Sequence, residues 1–176
     1  FDTYTVGAKS EFKLGEVTIG ADARYASLEI DKVNNPTGDK NTLAKLALTA
    51  KAGIVNGKLA YATTGKDGGK TALDSDAVTA LKGWNLNTLD KFDADYWQAV
   101  AGVDILSNLN LSANYGNLKS VDAKVATKDI EEEELYAQLT YKMSKNLTTY
   151  VRYGTYTKDE TSKSTNQSTE KNDDTR

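Results

Sequence analysis

Hydrophobic and polar residues alternate with a period of two along most of this chain. Such alternation predicts half-exposed β-strands, because successive side chains of a strand point to opposite faces. We predict strands near residues 1–12, 17–30, 42–52, 57–64, 95–106, 109–118, 134–143 and 147–157. Short turns alternate with long polar loops at 31–41, 65–94, 119–133 and 158–176. This spacing is typical of an antiparallel transmembrane β-barrel.

Charged residues in the middle of these strands all fall on one side of the alternation. They are Lys9, Glu11, Asp22, Arg24, Lys45, Lys51, Lys58, Asp104, Lys142 and Arg152. A charge that faces lipid at mid-bilayer costs about 2–4 kcal/mol, whereas a charge in a water-filled lumen stays solvated. We therefore predict that the apolar row faces lipid and that these charged residues line a pore.

The apolar row also distinguishes a membrane barrel from a soluble sandwich with one wet face. A sandwich core needs bulky side chains, but this row contains many alanines, such as Ala8, Ala21 and Ala99. Aromatic residues add a second indication, because barrels carry a girdle of them at each membrane interface. We expect one level near the long loops, at Tyr4, Tyr25, Trp97, Tyr115 and Tyr153, and a second near the short turns, at Phe12, Tyr61 and Tyr141.

The composition of the chain argues against two classes of function, nucleic-acid binding and enzymatic catalysis. The 176 residues are 39% hydrophobic, carry a net charge of −3, and include neither cysteine nor histidine. A chain without a basic balance offers no case for nucleic-acid binding. The missing histidine removes the commonest general base, so we predict that the protein is not an enzyme. We treat residues 1–176 as a single barrel segment.

The longest loop, 65–94, allows two alternatives. It folds inward and narrows the pore, with Asp74, Asp76, Asp90 and Asp93 facing the basic wall, or it packs outside as a protomer contact or surface loop. Residues 75–82 predict a short helix within it. The loop acids, with Asp95, are also candidate oxygen ligands for Ca²⁺. Two other polar segments, Glu131 to Glu134 and the tail from Lys158, are predicted to be a solvated loop edge and a mobile outer loop.

Several segments resemble a known family. The stretches YTVGAKSEF from Tyr4, GVDILSNLNLSANYG from Gly102 and TTYVRYGTY from Thr148 are similar to the C-terminal half of the major outer membrane porin of Campylobacter and related epsilonproteobacteria. The resemblance implies a larger barrel of about 16–18 strands. It also implies a homotrimer in the outer membrane, in contact with lipid and lipopolysaccharide, through which ions and small hydrophilic solutes diffuse passively. No cofactor is required, although the family is associated with calcium, whose ligands we do not map onto this chain.

The order of turns and loops puts both ends of the chain on the side of the long loops. We therefore expect a piece of a larger barrel, cut between outer loops. Because the chains of the family it resembles are longer, the resemblance implies that this piece lacks the N-terminal half and the last strand. Three alternatives to the porin remain open. An outer-membrane anchor or adhesin with a plugged interior would act through its surface loops. A soluble secreted β-protein would need no detergent. A lipid-hydrolysing barrel would have to work without histidine.

Overall fold

The computed structural model describes residues 1–30, 40–71, 79–122, 128–162 and 167–175. These residues form one antiparallel sheet of nine strands in chain order. The strands are β1 (Asp2–Leu14), β2 (Val17–Glu29), β3 (Lys40–Ala52), β4 (Val55–Thr64), β5 (Phe92–Leu106), β6 (Leu109–Val121), β7 (Lys128–Lys142), β8 (Thr148–Ser162) and β9 (Gln167–Thr175). The predicted all-β fold is therefore confirmed, and the described residues contain no helix that could cross a membrane.

The strand register keeps the two predicted rows on opposite faces across the sheet. Lys45 lies opposite Arg24 on one side and Ala62 on the other, while its neighbour Leu46 lies opposite Ala23 and Tyr61. We call the face that carries Leu46 the outer face and the face that carries Lys45 the inner face. Large apolar side chains are exposed on the outer face, with Trp97 54% and Val151 70% exposed. A face of this kind suits lipid better than water.

The last strand was not predicted. Residues 167–175 pair with the C-terminal half of β8, from Thr155 to Ser162. The interpretation of 158–176 as a loop is therefore wrong for these residues. Strands pair through backbone hydrogen bonds, which any side chain allows. A segment in which nearly every residue is polar carries no period of two by which it could be recognised.

One aromatic residue belongs to the other level of the barrel. Tyr61 was expected near the short turns, but it lies directly opposite Trp97, with the two ring centroids 6.5 Å apart. Tyr4 and Tyr25 form a similar pair at 6.0 Å. The reason is the shortness of β4, which places Tyr61 close to the end of the strand that leads into the long loop.

Candidate functional site

The described part of the loop between β4 and β5 packs on the inner face. Leu81 and Leu86 from the loop form a buried cluster with Ala62, Tyr96 and Leu118, which all belong to the inner row. The base of the loop is closed by Thr64, whose Oγ1 donates to the Lys91 carbonyl at 3.0 Å and accepts from the Ala94 amide at 2.9 Å. The first of the two alternatives for the loop, inward packing, is therefore the one observed.

A tight turn, 83–86, brings the loop into contact with β7 on the inner face. Its ends are joined by a hydrogen bond from the Gly83 amide to the Leu86 carbonyl at 2.8 Å. Three consecutive amides of the turn then donate to the carboxylate of Glu134 on β7. The distances are 3.0 Å from Trp84, 2.7 Å from Asn85 and 3.4 Å from Leu86. Glu134 is 2% exposed, so this carboxylate is buried but fully partnered.

A second glutamate of β7 holds the returning arm of the loop. The Glu132 carboxylate accepts from the Lys91 ammonium and, at 2.7 Å, from the Tyr156 hydroxyl. The prediction that Glu131 to Glu134 form a solvated edge is therefore wrong for Glu132 and Glu134, which are both buried. The strand alternation turns these two residues inward, under the loop, and leaves the other two on the outer face.

Arg152 also lies on the inner face, where it is half-buried and contacts several protein groups. Its Nε donates to the Gln138 side chain at 2.6 Å. Its guanidinium lies 4.5 Å from the ring of Tyr150, 5.5 Å from Tyr136 and 5.9 Å from Trp84. Arginine over aromatic rings is a favourable cation–π arrangement. Through its contact with the Trp84 ring, Arg152 thus helps to hold the turn 83–86 on the sheet.

A charged recess lies beside the loop, over β1 to β4, with a volume of about 480 Å³. Its lining includes the predicted pore residues Lys9, Glu11, Asp22, Lys45 and Lys58, together with Lys82 from the loop. Four lysines therefore face two acids. We call this feature the basic recess. Since lysines outnumber acids in it, its local field is positive.

Hydrogen bonds order the charges around the basic recess. Asp22 accepts from Arg24 at 2.8 Å and lies 3.7 Å from the Lys45 ammonium. The Lys58 ammonium donates to the side-chain Oε1 of Gln98 at 2.5 Å, and the side-chain Nε2 of Gln98 in turn donates to the Lys82 backbone carbonyl at 3.1 Å. Gln98 therefore connects the sheet to the loop at the edge of the recess.

The other predicted pore residues share the inner face but not the recess. Near the short turns, Lys51 pairs with Asp104 at 2.6 Å, and Asn110 donates to the same carboxylate at 2.8 Å. Lys142 is exposed at the same end of the sheet. The strand register therefore brings all of the predicted set to one face, while only half of them lie together.

The acids predicted to face the basic wall are placed differently. Asp74 and Asp76, like residues 75–78 of the expected helix, lie outside the described residues, and residues 79–82 are not helical. Asp90 is exposed. Asp93 lies on the outer side near Lys119 and Asp159, so its predicted role is wrong. A register shift between Phe92 and Asp95, with Asp93 at φ +47°, turns its side chain away from the inner face.

Calcium finds no matching site among the described parts of the chain. They contain no group of three or more acidic side chains close enough to hold a metal ion. Asp95, the remaining candidate, accepts a hydrogen bond from the Tyr61 hydroxyl on the outer face. The donor set expected for a hard cation is therefore not assembled by Asp90, Asp93 and Asp95.

Comparison with known proteins now identifies the family. The model of the Gram-negative porin family matches residues 1–161. This chain belongs to the Gram-negative porin family. Membership supports an outer-membrane location and accounts for the lipid-type outer face. No curated protein matches the chain. The narrower resemblance to the Campylobacter porin stays a prediction.

Solved porins share the fold. Pseudomonas aeruginosa OccK10 (OpdN) superposes with a TM-score of 0.68 at 17% identity, over 89% of this chain and 46% of that chain. A BenF-like porin from Pseudomonas fluorescens Pf-5 gives 0.65 at 15% identity, over 97% and 46%. P. aeruginosa OccK1 (OpdK) gives 0.64 at 13%, over 98% and 46%. The chain thus spans less than half the length of these porins.

Proposed function

We propose that the sheet forms part of the wall of a water-filled channel through the outer membrane, which ions and small hydrophilic solutes cross by passive diffusion. The position of the loop is the observation that carries this proposal. The loop packs on the charged inner face and leaves the basic recess beside it. Porin selectivity depends on pore radius and on lumen-facing charge. An inward loop reduces the radius, and the recess supplies the charge.

Single-channel recording from the full-length protein in planar lipid bilayers tests this proposal. Stepwise, ohmic conductance is expected on insertion. A protein that folds as a detergent-dependent barrel but does not conduct would overturn the proposal and favour the anchor or adhesin with a plugged interior.

The charge of the basic recess gives the channel a preference for anionic solutes in this region. Lys45→Glu and Arg24→Glu should each shift the reversal potential in a salt gradient toward cation selectivity, because both side chains lie on the inner face. Lys119→Glu is the matched control, since Lys119 lies on the outer face opposite Glu131. Equal reversal potentials in all three variants would remove Lys45 and Arg24 from the pore lining.

The channel is expected to assemble as a homotrimer, as the resemblance implies. Chemical cross-linking of the folded protein should then end at a trimer, and conductance should appear in groups of three equal steps. If the cross-linker leaves only monomers, and conductance rises in single steps, the trimer would be contradicted without affecting the channel proposal.

A further inference from the structure

We infer that Glu134 is a positioning residue for the inward-packed loop, which narrows the proposed channel. Its carboxylate holds the turn 83–86 against β7 and thereby places Lys82 at the basic recess. This inference rests on the proposed function for its consequence on permeation, but its geometry stands on the contacts of the inner face alone.

The first argument is the convergence of donors. The amides of Trp84, Asn85 and Leu86 all point at one buried carboxylate, which no other residue within the turn could provide. Backbone amides in a buried turn cost free energy unless they are partnered, and a charged acceptor gives the stronger bonds. Loss of the carboxylate would leave these three donors without their acceptor, in a turn whose residues are half-buried or buried. The turn would then be driven off the sheet.

The second argument is steric and independent of the first. A Cβ atom added at Gly83 would lie 1.7 Å from Glu134 Oε1 and 2.7 Å from the Tyr96 hydroxyl oxygen. The loop approaches β7 so closely that only glycine fits between the turn and the carboxylate. Trp84, the next residue, packs edge-on against Tyr136, with ring centroids 5.5 Å apart. The closeness of the approach is therefore built into the sequence of the turn.

The third argument connects the turn to permeation. Lys82 immediately precedes the turn, and its backbone carbonyl is held by Gln98, the same residue that binds the Lys58 ammonium. Lys82 lines the basic recess with Lys45 and Lys58. A turn released from Glu134 would carry Lys82 away from this cluster. Glu134 thus affects the charge of the recess without being part of its lining.

Limited proteolysis of the full-length protein in detergent tests the geometry without any need for conductance. Cleavage by chymotrypsin after Trp84 should be at least about tenfold faster in Glu134→Gln, which corresponds to ~1.4 kcal/mol of easier local opening. Glu133→Gln, a neighbour on the outer face, should cleave like the parent. If Glu134→Gln does not fold, Gly83→Ala tests the same contact from the other side, because its Cβ displaces the carboxylate. Cleavage at the parental rate in the folded variant would overturn the inference.

A double-mutant cycle tests the consequence for permeation. Lys82→Glu should shift the reversal potential of the parent and of Glu133→Gln by the same amount. In the Glu134→Gln background the shift should fall to less than about half, because the released Lys82 no longer lies at the recess. An undiminished shift would overturn the positioning role. A parent that does not conduct would instead count against the proposed channel, while the proteolysis result would still decide whether Glu134 holds the turn.

Discussion

Four consecutive glutamates of β7 alternate between two environments on the two faces of the sheet. Glu131 and Glu133 lie on the outer face, where they accept hydrogen bonds from the Asn117 side chain at 2.9 Å. Glu132 and Glu134 lie buried on the inner face beneath the loop. The four residues share one chemistry and one strand. The difference in burial therefore comes only from what packs against each face.

This contrast changes the meaning of a polar residue on the inner face. Burial of a carboxylate is costly unless hydrogen bonds replace its water. Both inner glutamates are fully partnered, and so they act as anchors for the loop rather than as pore lining. Lys9, Lys45 and Lys58 share the same face but border the recess. The inner face thus contains a covered region that fixes the loop and an open region, the basic recess, that is lined by charged side chains.

The largest difference in stability is expected between two variants that place the same charge on opposite faces of the sheet. Leu48→Arg puts a guanidinium on the outer face, where Leu48 is 47% exposed, and should destabilise the folded barrel by about 2–4 kcal/mol. Thr49→Arg, one residue along β3, adds the same charge to the recess. It should leave stability nearly unchanged and alter conductance. Urea unfolding in lipid vesicles measures the stability of both variants, and single-channel recording measures their conductance. Equal stabilities of the two variants would contradict the assignment of the two faces.

Removal of one lysine from each face should give the next largest effect. Lys91→Met leaves the buried Glu132 with only the Tyr156 hydroxyl, and should cost about 1–3 kcal/mol. Lys119→Met removes the partner of Glu131 in an exposed pair at 3.1 Å, and should cost less than about 1 kcal/mol. Urea unfolding of the two variants compares them directly. A larger loss in Lys119→Met would mean that the loop does not depend on Lys91.

The two tryptophans report the two faces by fluorescence, with little effect on stability. Trp97 is exposed on the outer face, whereas Trp84 packs on Tyr136 at the inner face. Lipids with brominated chains should therefore quench part of the tryptophan fluorescence. This quenched part should be lost in Trp97→Phe and retained in Trp84→Phe. A quenched component that disappears only with Trp84→Phe would reverse the orientation of the sheet.

The outer face could be predicted from the sequence because lipid imposes one rule on every strand. Charge is excluded from alternate positions, so Leu46, Leu59 and Val151 identify the face without any knowledge of their neighbours. The common face of the charged residues follows from the same period. The ninth strand could not be found in this way, because residues 167–175 carry no apolar row.

The site on the inner face could be predicted only in part. The alternation already places Glu134 in phase with Tyr136, and a Gly-Trp-Asn turn is visible at 83–85. Nothing in the sequence joins them, because the contact spans about fifty residues and depends on where the loop lies. The charge of the loop acids predicts that they face the inner wall, yet leucines and backbone amides are what dock the loop. Docking needed burial and shape, which the pattern of charges does not contain.

The smallest expected effect is the pH dependence of an outer-face pair above the aromatic level. A hydrogen bond from Asn117 and the nearby Lys119 ammonium lower the pKa of Glu131 below its ordinary value. Since the folded pKa is the lower one, the contribution to stability is present above the unfolded pKa and is lost as pH falls through the folded value. Lowering the pH from about 6 to about 3 should therefore destabilise the parent more than Glu131→Gln, by less than about 1 kcal/mol. Identical acid dependence of unfolding in both proteins would show that this pair, unlike those under the loop, contributes nothing measurable.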